Sequence, residues 1–280
     1  MLKAIFYNPI VFRIYLFILT FIRRNTTFVF VASTGRCGTN TLYAIFANHP
    51  SVSSFHEPYP IVLSNNSEIS KLDSDMLSIQ KRKILTILRN AKTPIYFESN
   101  HMFVKNFIEE IFTYIPKQQI KVLHLSRDAV KVATSFYSIG SIPGKTKRGK
   151  KYLLEPAATN NQIKLPELLE NGEFQHDFYK CLWYWYEIEA RVRFYKKKFH
   201  QYFWFDVSTN NLNNEDAIMK LAQYIGLDIS QFSRQLNIGK KYNLKLAEKK
   251  DTSDIEVDEM HTKFRSLLDS HGYLSFPEPK

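Results

Sequence analysis

The stretch Phe28-Val29-Phe30-Val31-Ala32-Ser33-Thr34-Gly35-Arg36-Cys37-Gly38-Thr39-Asn40-Thr41-Leu42-Tyr43-Ala44-Ile45-Phe46 reads as an apolar strand, a tight polar loop and the start of a helix. Gly35 and Gly38 let the backbone turn and come close to a ligand. A helix starting near Thr39 aims its unpaired N–H groups and its positive dipole end into the loop. Arg36 adds a full positive charge, and Thr39, Asn40 and Thr41 add side-chain donors. The loop therefore suits an anion. It lacks the Gly-Lys-Ser/Thr unit, whose lysine bridges the β- and γ-phosphates and whose hydroxyl holds magnesium. Transfer of the γ-phosphate of ATP is accordingly poorly supported. Taken alone, the pattern also fits an ordinary strand-to-helix turn.

Beyond this stretch, short apolar runs alternate with helical patterns, which predicts an α/β fold with a mainly parallel sheet. Strands are expected at Phe28–Ala32, Ile95–Glu98, Lys121–Leu125 and Gln201–Phe205, with a further short one at Val52–Phe55. Helices are expected after Gly38, Lys71, Asp128, Gln175 and Asn213. Ile142 to Lys151 reads as a basic, glycine-punctuated loop, for which mobility is the default. Trp183, Trp185 and Tyr186 fall within one helix and are expected to be core.

A second anion signal follows the run Val122-Leu123-His124-Leu125. Arg127 stands at the carboxyl end of that strand, where ligands bind in open α/β sheets. Ser135 lies eight residues on, two helical turns along, so both side chains can grip one phosphate. The competing reading pairs Arg127 with Asp128 or another acid.

The bulk composition agrees with a folded, anion-seeking protein. The chain has 280 residues, 44% hydrophobic and 15% aromatic, which suffices for a sizeable core and excludes wholesale disorder. Its formal net charge of +11 favours nucleotides, acidic glycans, nucleic acid or a membrane surface without choosing among them. Two cysteines, Cys37 and Cys181, make neither a disulfide framework nor a zinc site, and predict a reducing, cytoplasmic compartment. Residues 1–24 form an apolar segment broken by Asn8, Pro9 and Arg13. An interfacial helix, or one packed on the 25–280 domain, is favoured over a membrane span, and a signal peptide is not expected.

Together, Arg36-Cys37-Gly38-Thr39-Asn40 and the Arg127…Ser135 pair resemble two motifs of the sulfotransferases that use 3′-phosphoadenosine 5′-phosphosulfate (PAPS). In that family a basic residue before Ser-Gly-Thr-Thr, or a close variant, binds the 5′-phosphosulfate. Here Cys37 stands for the serine and Asn40 for the second threonine. An arginine and a serine eight residues later bind the 3′-phosphate. Trp204-Phe205-Asp206, leading into Ala217–Leu227, is similar to a later family segment, so the resemblance runs from about Phe28 to Leu227. It implies a P-loop-type three-layer fold with helices on both faces of the sheet. It also implies PAPS held by Gly35, Arg36, Cys37, Gly38, Thr39, Asn40, Thr41, Arg127 and Ser135, with no metal. Lys240 and Lys241, after Gly239, stand in for a late Arg-Lys-Gly element, a solvated basic turn being the other reading. Cytosolic members carry an adenine-packing tryptophan where Thr41 stands, so no residue is assigned to adenine.

The resemblance implies sulfuryl transfer to an acceptor hydroxyl, of a glycan or glycolipid, with no nucleic acid as partner. Arg36 would stabilise the leaving charge. Two residues compete as general base. Glu57 follows His49-Pro50 as in the carbohydrate and protein-tyrosine members and is favoured. His101 stands where the cytosolic small-molecule members place a histidine. A nucleotide-dependent kinase of the same broad fold, and a non-catalytic membrane-peripheral polyanion-binding protein, are the alternatives.

Overall fold

β1 (Thr27–Ala32) is the middle strand of a five-stranded sheet ordered β2-β3-β1-β4-β5. β2 is Val52–His56, β3 Ile95–Ser99, β4 Ile120–Ser126 and β5 Trp204–Ser208. Every pairing in the sheet is parallel. Phe28 to Ala32 are wholly buried, as a central parallel strand covered on both faces requires. Each large apolar side chain sealed there contributes about 1.5–3 kcal/mol. This computed structural model describes residues 8–63, 69–170, 172–200, 203–232 and 256–274.

The helices are α1 (Pro9–Ile22), α2 (Thr39–Phe46), α3 (Ile69–Asn90), α4 (Ile108–Tyr114), α5 (Ala129–Ser138), α6 (Lys147–Tyr152), α7 (Pro166–Glu170), α8 (Asp177–Phe199), α9 (Glu215–Ile225), α10 (Ile229–Phe232) and α11 (Val257–Ser270). Several start on side-chain caps that the sequence carries. Asp128 accepts from the Lys131 N–H, His176 from the Phe178 N–H and Asn214 from the Ala217 N–H. Gly226, in the left-handed region, ends α9. α8 is the central helix, and Trp183, Trp185 and Tyr186 on it are buried as expected.

Two expectations are corrected. The last strand, expected to end at Phe205, runs over Trp204–Ser208, with Val122 paired to Trp204 and Ser126 to Ser208, while Gln201 lies outside the described residues. The basic segment Ile142–Lys151 is not a bare loop. It folds into α6, whose N-cap Thr146 accepts the Gly149 N–H at 3.1 Å. Gly149 allows this, since a Cβ there would fall 1.7 Å from the Ile142 carbonyl oxygen.

No described helix is long and apolar enough to cross a membrane. α1 instead packs on the domain through Phe12 and Leu19.

Candidate active site

The β1–α2 loop is built from left-handed backbone. Gly35 has φ +82°, Arg36 +60° and Gly38 +88°. Left-handed residues in a strand-to-helix loop are a component of backbone anion nests. For Arg36 the conformation is strained, and strain of this kind collects at functional loops. Thr34 braces the turn by donating to the Gly35 carbonyl at 2.7 Å, and Tyr184 Oη donates to the Thr34 carbonyl at 3.0 Å. Cys37 points inward, with Sγ 2.9 Å from Thr34 Oγ1. Burial pushes its thiol up to about 12, against the opposing Thr34 hydrogen bond, so it acts as a packing group. Thr39 is buried at the first turn of α2, with Oγ1 3.4 Å from His56 Nε2, while Asn40 and Thr41 are half-buried.

The structure brings the two sequence motifs together. Arg36 Nε donates to Ser135 Oγ at 2.9 Å, across 99 residues. Arg127 Nη1 donates to the Arg36 carbonyl at 2.8 Å. Asp128 does not pair with Arg127, because its carboxylate caps α5. Neither arginine meets a carboxylate among the described residues. Burial, then Arg148 of α6 and Arg127, hold the Arg36 guanidinium below its usual range. Converging cations without a counter-charge are costly unless an anion completes them. Lys240 and Lys241 lie outside the described residues.

Glu57 and His101 meet because of strand register. β2 and β3 are parallel neighbours with His56 beside Ser99, so the residues just past both ends emerge side by side. The Glu57 N–H donates to the Ser99 carbonyl, and Glu57 takes φ +46°. His101 Nδ1–H then donates to Glu57 Oε1 at 2.5 Å. A buried network fixes both turns. Lys83 pairs with Glu98 at 2.7 Å and donates to the Pro58 carbonyl. Asn100 donates to Glu98 and accepts the Met102 N–H. The His101 ring lies under the loop, 3.5 Å from where a Gly35 Cβ would stand.

Burial raises the Glu57 carboxyl, but the hydrogen bond and charge of His101 prevail and hold it at about 2. Burial and the neighbouring Lys105 push the His101 imidazole below its usual value, against the pull of Glu57. The pair is therefore an ionised carboxylate bonded to a neutral imidazole. Nε2 meets no hydrogen-bond partner among the described residues.

Two contributors escape a reading of the sequence. Lys105 is buried on a π-helical turn, Phe103–Phe107, and donates to the Tyr152 carbonyl and Tyr184 Oη. Its one signal is a lysine directly after the apolar run Met102-Phe103-Val104. Thr209 Oγ1 lies 2.6 Å from the Cys37 carbonyl and 2.9 Å from the Ser126 carbonyl, tying the loop to the end of β4. Nothing in its polar surroundings marks it out. No group of His, Cys, Asp or Glu able to hold a metal ion occurs among the described residues.

A family model described as "Sulfotransferase domain" matches residues 26–270. The chain belongs to the sulfotransferase domain family. Among solved structures this sulfotransferase is similar to the sulfotransferase domain from the curacin biosynthetic pathway, at 14% identity and a TM-score of 0.47, over 91% of this chain and 93% of that one. It is also similar to the sulfotransferase domain from the Synechococcus PCC 7002 olefin synthase, at 12% identity and a TM-score of 0.46, over 91% and 96%. No curated protein matches it. The enzyme is a sulfuryl-transferring protein with a parallel-sheet α/β fold.

Proposed function

We propose that this sulfotransferase uses PAPS and delivers the sulfuryl group to a hydroxyl of a glycan or glycolipid. The observation that carries the donor assignment is the convergence of Arg36, Arg127 and Ser135, free of carboxylates, at a left-handed loop before a helix N-terminus. These residues fit a nucleotide with anions at both ends. Arg36 and the N–H groups at the start of α2 would hold the 5′-phosphosulfate, with Thr39, Asn40 and Thr41 lining that turn. Arg127 and Ser135 would hold the 3′-phosphate. Bound there, PAPS supplies the sulfuryl group on an adenosine 3′,5′-bisphosphate leaving group.

With PAPS held there, His101 Nε2 would take the proton of an acceptor hydroxyl attacking the sulfuryl group in line with the departing 5′-phosphate. Glu57 holds Nδ1–H, fixes the ring and stabilises the imidazolium that forms. A carboxylate held at about 2 is itself a weak base at neutral pH. This assigns Glu57 to orientation, although the sequence favoured it as base. Arg36 would neutralise the charge that develops on the bisphosphate side of the donor. Exposed Lys147, Arg148, Lys150 and Lys151, with Arg148 felt by Arg36, support an acidic or polyhydroxyl acceptor on that flank.

Adenosine 3′,5′-bisphosphate at about 100 times its Kd should stabilise the fold by about 2.7 kcal/mol and raise Tm, whereas ATP should not. Arg127→Ala should remove the shift. A wild-type protein indifferent to the bisphosphate would overturn the donor assignment. Labelled PAPS offered with glycan, phenol and small-alcohol acceptors tests the acceptor class, and transfer to phenols alone would refute a glycan.

A further inference from the structure

We infer that the outward face of α1 rests on the surface of a bilayer containing anionic lipid. At roughly 3.6 residues per turn, Ile10, Ile14, Phe17, Ile18, Phe21 and Ile22 fall on one side of this 14-residue helix. Each is between 46% and 70% exposed. Six large exposed apolar side chains on one side of one helix make an apolar face of the kind that marks an interaction site. The opposite side is fully used. Phe12 and Leu19 are buried, and the Phe12 ring meets Tyr114 edge-on at 5.6 Å. Lys81 Nζ sits over the Phe12 ring, and Arg23 Nε donates to the Leu88 carbonyl. α1 thus runs beside α3, in the same direction, fixed along a flank of the domain. The exposed stripe is therefore displayed on a rigid support.

Charge selects the occupant. Exposed Arg13 and Arg24 lie along one edge of the apolar stripe, and the Arg24 guanidinium stacks over Phe21 at 4.7 Å. At the end of α3 beside Arg23, Arg89 and Lys92 are exposed too. The first carboxylate side chain of the chain is Glu57, so residues 1–56 carry only cations. An apolar face edged by arginines matches a lipid interface, with the rings and aliphatic chains at the acyl boundary and the guanidiniums among anionic headgroups. A second copy of the chain would bring the same arginines together with no carboxylate on this helix to meet them. The surface inference is independent of the donor and acceptor assignments, since it uses none of their residues.

The test is flotation of the full chain with vesicles of phosphatidylcholine, alone or with about 30% phosphatidylserine. Binding is expected to the anionic vesicles and to weaken with salt. Ile14→Asp/Phe17→Asp should reduce it by about ten-fold or more, with Tm and bisphosphate binding unchanged because both sites are exposed. In an independent readout, Phe17→Trp should show a blue-shifted emission on adding the anionic vesicles. Absence of binding, undiminished binding by the double variant, or an unshifted Phe17→Trp emission would each overturn the inference. So would a stable dimer in light scattering that only the double variant dissolves.

Discussion

The chemistry turns on which end of a hydrogen bond faces the acceptor. With Glu57 at about 2 and His101 below its ordinary value, the dyad is a carboxylate and a neutral imidazole throughout the neutral range. kcat/KM should therefore rise with pH through an apparent pKa below 6.5 and then stay level. His101→Ala should lower kcat by about 10²–10⁴-fold. Glu57→Gln removes a charge that raises the imidazole, so besides lowering kcat it should move the acidic limb to still lower pH. If Glu57 were the base, its substitution would abolish the acidic limb, and His101→Ala would leave a measurable profile behind. Steady-state rates from pH 5 to 9 for the three proteins decide between the two. In sequence the pair reads as two rivals, since 44 residues separate them and strand pairing is non-local. Arg36, Arg127 and Ser135 are legible because each lies just past an apolar strand or within the helix that follows it. Thr209, by contrast, contributes through a hydroxyl between two carbonyls, which no spacing announces.

At the scale of elements, alternation and caps locate most strands and helices, because β1 is nearly all apolar, β4 carries Val122, Leu123 and Leu125, and Asp128, His176 and Asn214 sit at helix starts. The failures have local causes. Asp206 looks like the end of a strand, yet its side chain leaves the sheet edge to reach His124 and Lys196, so β5 continues to Ser208. Lys105 sits on a π-helical turn and is buried, a place that its charge disfavours and that the sequence does not announce. α6 is hidden by its glycine and its cations. It exists because Gly149 closes on the Ile142 carbonyl and Lys105 holds the Tyr152 carbonyl. Gly149→Ala should therefore unseat α6, at a local cost of about 1–3 kcal/mol. Brief trypsin digestion checks this, since cleavage at Lys147, Arg148, Lys150 and Lys151 should become faster than in wild type. Equal cleavage would mean that the close approach does not hold the helix.

At the scale of the molecule, one buried histidine ties three elements together. His124 of β4 has Nδ1 2.7 Å from Asp206 of β5 and Nε2 3.0 Å from Glu189 of α8, while Lys196 of α8 also reaches Asp206. Burial opposes charge on this imidazole, but the Glu189 and Asp206 carboxylates prevail and push it up to about 9. The native state thus holds a proton that the unfolded chain, at an ordinary value of 6.5, releases earlier. Linkage then fixes the direction: the contribution is complete below pH 6.5 and disappears as pH rises through about 9. A shift of that size corresponds to on the order of 3 kcal/mol. Urea unfolding should accordingly show a falling midpoint between pH 7 and 9.5. Replacing the buried pair by neutral partners, His124→Gln with Glu189→Gln, lowers stability at pH 7 but should flatten the slope in that window. Lysines and tyrosines elsewhere titrate equally in both proteins, so the difference between the two slopes isolates this site. Parallel slopes would show that the β4–β5–α8 junction does not depend on a charged His124.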